Sequence, residues 1–86
     1  MIFALISTGA FAQLRSVTFQ VDMLTATISA DGIHAAGDWQ DTAGYGGNWN
    51  PDTTLLTQVG TSNIYEVTVN IPDGKWRFKF MNGKGW

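Results

Sequence analysis

The chain of 86 residues contains no cysteine. A disulfide framework and a thiolate metal site are therefore both excluded. It has one histidine, His34, which leaves no second imidazole for a transition-metal centre. Charged residues make up only 14%, with a formal net charge of −2 and a pI near 4.9, which argues against a nucleic-acid partner. No segment keeps helical periodicity over three turns, and no apolar run is long enough to span a bilayer. There is no internal repeat and no low-complexity tract.

Catalytic chemistry is also sparse. The seven carboxylates are scattered over strands and turns. A glycosidase needs two of them about 5–10 Å apart across the sugar. Asp38 and Asp41 share a loop rich in glycine and asparagine, where aspartates commonly make turns. Asp38, Asp41 and Asp52 could supply oxygen ligands to calcium, but the EF-hand spacing is missing. Gly44-Tyr45-Gly46-Gly47 lacks the Lys-Ser/Thr and helix start of a phosphate loop. No catalytic residue, metal or cofactor is expected.

What is present is alternation. In Ser16 to Met23, residues Val17, Phe19, Val21 and Met23 fall on one face, and Thr18, Gln20 and Asp22 on the other. This is the period of a half-buried strand. Ile33 to Gly37 and Thr53 to Gln58 read as short strands, the latter with Leu55 or Leu56 inward. Thr25 to Ser29 reads either as a strand or as an extended loop. Ile64 to Ile71 alternates again, with Tyr65, Val67, Val69 and Ile71 on one face. Pro72-Asp73-Gly74 predicts a hairpin turn into a strand over Lys75 to Met81. Trp76, Phe78 and Phe80 are expected inward there, and Lys75, Arg77 and Lys79 outward. The expected fold is an all-β, immunoglobulin-like antiparallel sandwich.

Met1 to Ala12 is read as the remnant of a signal peptide. Ile2 to Ile6 is apolar, and Ala10-Phe11-Ala12 fits the cleavage pattern, so the mature domain would be residues 13–86. It lacks the basic n-region, as expected of a signal whose start lies upstream. The competing reading is a buried N-terminal strand.

The four tryptophans divide by context. Trp76 is in phase with Phe78 and Phe80 and is assigned to the core; Trp39 directly follows a short strand and is placed at the core edge. Trp49 and Trp86 lie beside turn residues, where burial is hard to arrange, so exposure there is a functional hint. A pyranose presents an apolar C–H face that can lie on an indole, with lysine and asparagine bonding its hydroxyls. Lys79 and Asn82 are the candidates for that rim. The competing reading is that Trp49 and Trp86 pack under neighbouring loops.

Five motifs then run in a familiar order: Val17-Thr18-Phe19-Gln20-Val21-Asp22-Met23, Gly32-Ile33-His34-Ala35-Ala36-Gly37-Asp38-Trp39, Trp49-Asn50-Pro51, Ile64-Tyr65-Glu66-Val67, and Trp76-Arg77-Phe78-Lys79-Phe80-Met81-Asn82-Gly83. The pattern resembles starch- and glycogen-binding modules. These are the immunoglobulin-like carbohydrate-binding modules of families 20 and 48, including the glycogen-binding domain of the AMP-activated kinase β-subunit. The version here is similar to those of secreted, multidomain Bacteroidetes proteins. The resemblance implies that Trp49 and Trp86 stack on α-glucan rings and that Lys79 bonds the sugar. It departs in two places. Asp38 to Asn48 form a longer insertion before Trp49, and family members continue past the residue matching Trp86 into further strands. The module is accordingly read as truncated at its C-terminus.

The expected function is non-catalytic α-glucan binding that tethers a larger secreted or cell-surface bacterial protein to its polysaccharide. The chain would be a monomeric unit covalently linked to further domains, with no membrane span. The rival expectation is a structural spacer or adhesion module of the same fold without a sugar site.

Overall fold

The computed structural model describes residues 13–86, so the signal-remnant reading of Met1 to Ala12 lies outside the described residues. Among the described residues five strands form in chain order: β1 (Leu14–Asp22), β2 (Ile33–Gly37), β3 (Thr57–Gln58), β4 (Ile64–Pro72) and β5 (Phe78–Asn82). They make a three-stranded sheet of order β1-β4-β3 and a two-stranded sheet of β2 and β5, all pairs antiparallel. The fold is the expected all-β sandwich.

Alternation explains the first sheet. Leu14 pairs with Pro72 and Asp22 with Ile64, which sets every inward apolar residue of β1 opposite one of β4. Phe19, Val69 and Ile71 are buried, and Val17, Val21, Tyr65 and Val67 pack against them. The outward face carries a polar ladder. Ser16 donates to Asn70 at 3.1 Å, the Thr18 and Thr68 hydroxyls meet at 2.8 Å, and Gln20 donates to Glu66 at 2.7 Å. Such cross-strand pairs each add about 0.2–1 kcal/mol and hold the register.

The second sheet contributes Ile33 and Ala35 to the core. Thr54 to Leu56 runs along its other side: Ala35 donates to the Thr54 carbonyl, Leu56 to the Ile33 carbonyl, and Leu55 bridges His34. The next residues, β3, pair instead with β4. This segment therefore crosses from one sheet to the other, with Leu56 buried in the core and Leu55 outside it, 53% exposed.

Trp39 is the largest fully buried side chain, at the centre of the core and not at its edge. Its ring stacks on Phe19 at 4.8 Å and meets Tyr45 edge-on at 6.1 Å. Gly37 is what lets it fit: a Cβ at that position would fall onto the Trp39 indole and the Arg77 carbonyl.

Three sequence expectations are corrected. Pro72-Asp73-Gly74 does not close a hairpin, because β4 and β5 belong to different sheets. The turn is a crossover between layers. Lys75 to Arg77 is not strand, so Trp76 is not an alternating core residue; it is half-buried against the core, and its indole N–H donates to the Pro72 carbonyl at 2.9 Å. Thr53 to Gln58 is strand only at Thr57–Gln58, with an isolated bridge at Leu55. Of the two readings open for Thr25 to Ser29, the structure takes the loop. Phe78 does lie on the core side, with its ring 4.8 Å from Phe19, but it keeps 47% of its surface exposed.

Candidate functional site

Strand alternation sorts the outer face of the β2-β5 sheet. Ile33 and Ala35 point into the core, so His34 and Ala36 point away from it. Directly paired residues share a face, and Lys79 pairs with Ala36, Met81 with His34. Lys79 is therefore on the outer face, and it is exposed. Among the described residues its ammonium makes no ion pair.

Trp49 reaches the end of this sheet from the long loop. Its backbone N–H donates to the Gly37 carbonyl at 3.0 Å, the last residue of β2. Its φ of +56° is in the left-handed region, which a bulky residue adopts only when its surroundings hold it there. Those surroundings centre on Gln40, a fully buried polar side chain. The Gln40 Oε1 accepts from the backbone N–H of Asn50 at 2.8 Å and of Gly37 at 3.2 Å. Its Nε2 donates to the Asn50 carbonyl at 2.8 Å, the Thr54 hydroxyl at 3.0 Å and the Ala35 carbonyl at 3.3 Å. One amide thus grips both backbone groups of the residue after Trp49 and ties them to β2. Asn48 adds a second staple, accepting from the Asp41 N–H at 2.8 Å. Trp49 is half-buried as a result, not fully exposed.

Trp86 arrives from the other direction. After β5 the chain turns through Gly83 and Gly85, with φ of +117° and +73°. Buried His34 directs its Nδ1 at the Gly83 carbonyl at 2.8 Å. The carbonyl can only accept, so Nδ1 carries the proton. The Gly85 N–H donates to the Asp52 carboxylate at 2.7 Å. Asp52 is three residues beyond Trp49, so the loop bearing one tryptophan is joined to the turn bearing the other. Trp86 itself is 71% exposed.

Asn82 stands apart from these three residues. It pairs with Ile33, on the core-side face of β5. Its Oδ1 accepts from the Ser29 N–H and its Nδ2 donates to the Thr27 carbonyl, both at 2.8 Å. The Asn82 amide holds the loop after β1.

The aspartates do not converge. Asp38 accepts from the Arg77 backbone N–H at 2.8 Å and from its Nε at 2.9 Å. These bonds, backbone first, hold the Asp38 carboxyl below its ordinary value of 3.8 against the opposing effect of its removal from water. Among the described residues no group of His, Asp or Glu is arranged to hold a metal, and no helix is long and apolar enough to cross a membrane.

Sequence reasoning missed Gln40, Asp52 and His34 as the residues that hold the tryptophan-bearing segments. The Asp38 to Asp52 loop did signal turns, but nothing local says which polar side chain will be buried beneath them.

The profile of the pullulanase X25 domain matches residues 32–86, well over half the chain. That span contains Trp49, Lys79 and Trp86 and omits β1. An amylopullulanase of Thermoanaerobacter thermohydrosulfuricus is 35% identical over 52 residues, which is 58% of this chain and 4% of the relative. An amylopullulanase of Thermoanaerobacterium thermosulfurigenes is 31% identical over 52 residues, 58% of this chain and 3% of the relative. The match thus spans only a small part of the length of these relatives. No solved structure matches the chain. The likeness to starch-binding-type modules is supported; the finer assignment to families 20 and 48 and to Bacteroidetes is not carried by these matches. The chain belongs to the pullulanase X25 domain family, as an accessory domain and not a catalytic one.

Proposed function

We propose that this domain binds α-glucan chains such as starch, glycogen or maltooligosaccharide, without cleaving them. Trp49 and Trp86 supply stacking surfaces, and Lys79 donates to ring hydroxyls. The observation that carries the reading is that an indole 71% exposed is tied through Asp52 to the Trp49 loop, at one sheet whose outer face bears Lys79. An exposed indole contributes nothing to the core, whereas it suits the apolar face of a sugar. The relatives' name, amylopullulanase, supports an α-glucan as the ligand. Asn82 is not assigned a sugar contact, since both ends of its amide are engaged by backbone.

The role is tethering: the domain holds polysaccharide near the rest of a longer exported bacterial protein, with residues 13–86 as the mature part present here. Affinity should be modest, because a shallow platform desolvates little area against the entropy of association. Isothermal titration with maltoheptaose and with cellohexaose tests this. Maltoheptaose should bind and cellohexaose should not, since a curved α-linked chain can meet two angled indoles. Absence of binding to either, with the protein folded, would favour a spacer role.

A further inference from the structure

The turn that carries Trp86 has little to stiffen it from within. Gly83-Lys84-Gly85 contains two glycines at positive φ, residues that without a Cβ can leave that conformation readily; the Gly83 N–H is held by the Gly32 carbonyl at 2.8 Å. Two side chains reach in from elsewhere. His34 fixes the Gly83 carbonyl beneath the turn, and Asp52 fixes the Gly85 N–H at its far end. Only the second contact touches the Trp49 loop. Asp52 is in turn aimed by its own neighbours. Its N–H donates to the Asn50 Oδ1 at 3.0 Å, and the Asn50 backbone is gripped by buried Gln40. A hydrogen-bonded path therefore runs from the core through Gln40, Asn50 and Asp52 to Gly85. Chain geometry alone keeps the Trp49 and Trp86 backbones within about 22 Å while that contact holds.

We propose that Asp52 is a positioning residue that locks the Trp86 turn to the Trp49 loop, so that the two indoles form one platform for a glucan chain long enough to meet both. The proposal rests on the glucan-binding reading. Asp52 touches no sugar in it. A charged acceptor to a backbone N–H is among the stronger single hydrogen bonds, so one contact can hold a three-residue turn. Its loss leaves each tryptophan in place on its own segment and removes their fixed spacing. A short sugar that meets one indole is then little affected, while a long one must wait for the correct arrangement.

The experiment compares the wild-type protein with Asp52→Ala and Asp52→Asn. Maltose and maltoheptaose binding are measured by titration calorimetry, Gly85 amide exchange by NMR, and Tm by calorimetry. If the freed turn is correctly placed about a tenth of the time, Asp52→Ala weakens maltoheptaose about tenfold and leaves maltose within about twofold. Gly85 exchange should quicken in the same variant, and Tm should fall by only several degrees, leaving the protein folded. Asp52→Asn, which keeps an acceptor oxygen, should restore most of the maltoheptaose affinity. Wild-type binding of maltoheptaose with unchanged affinity or unchanged Gly85 exchange in Asp52→Ala would overturn the lock alone. Equal weakening of both sugars would overturn it as well. A wild-type protein that binds neither sugar overturns the glucan reading and the platform with it, while Gly85 exchange still reports whether the contact exists.

Discussion

The tryptophans show how one residue type is put to different uses by its neighbours. Trp39 is fully buried and stacked on Phe19, so Trp39→Ala should destabilise by about 3–5 kcal/mol, as for other large core truncations. Trp86 is mostly solvent-exposed, so Trp86→Ala should leave Tm nearly unchanged and weaken glucan binding by about 1–3 kcal/mol. Denaturant melts and calorimetry separate the two effects. Gly37→Ala should cost about 1–3 kcal/mol, because its methyl meets Trp39 and the rigid Arg77 carbonyl. Exposure of Trp86 and burial of Trp39 were legible from adjacent turn and strand residues. The core assignment of Trp76 held only in part: it packs half-buried against the core, but from a loop, because alternation was extended into residues that are not strand. In a loop, periodicity says nothing about which way a ring points.

At the level of elements, alternation identified the long strands but not their partners. β1 and β4 lie close to their expected bounds because each must bury one apolar face. The crossover after β4 was hidden, because Pro-Asp-Gly reports a change of direction and not the sheet the chain enters next. The Asp38 to Asp52 loop was legible as a loop, whereas its internal staple was not. Gln40→Ala should therefore be more harmful than its polar character suggests. It strips partners from the Asn50 and Gly37 backbone and should cost about 1–3 kcal/mol for each buried group left unpaired, read as a fall in Tm. Asp38 joins the start of this loop to the segment before β5. Its folded pKa is lowered, so its contribution is fully present above the ordinary carboxylate value and is lost as pH falls through the lower, folded one. Asp38→Asn should lower stability most at neutral pH and change it little once the carboxyl is protonated, which flattens the acid limb of a stability-against-pH profile.

As a whole molecule, the domain separates stability from recognition. Phe19, Trp39, Leu56, Val69 and Ile71 join the two sheets, and the Lys79 face is left outside that core. Trp49 is then fixed to the assembled sandwich by its own N–H on the Gly37 carbonyl, and Trp86 through the preceding Gly85 N–H on the Asp52 carboxylate. Glucan binding should accordingly be removable without unfolding, which a spacer would not display. The most direct test is titration of maltoheptaose into the wild-type protein and Trp86→Ala, with Tm measured on both. The account predicts saturable wild-type binding that weakens by about 1–3 kcal/mol in the variant at nearly constant Tm. A folded wild-type protein that binds no maltoheptaose, or a Trp86→Ala variant that unfolds while keeping its affinity, would contradict it.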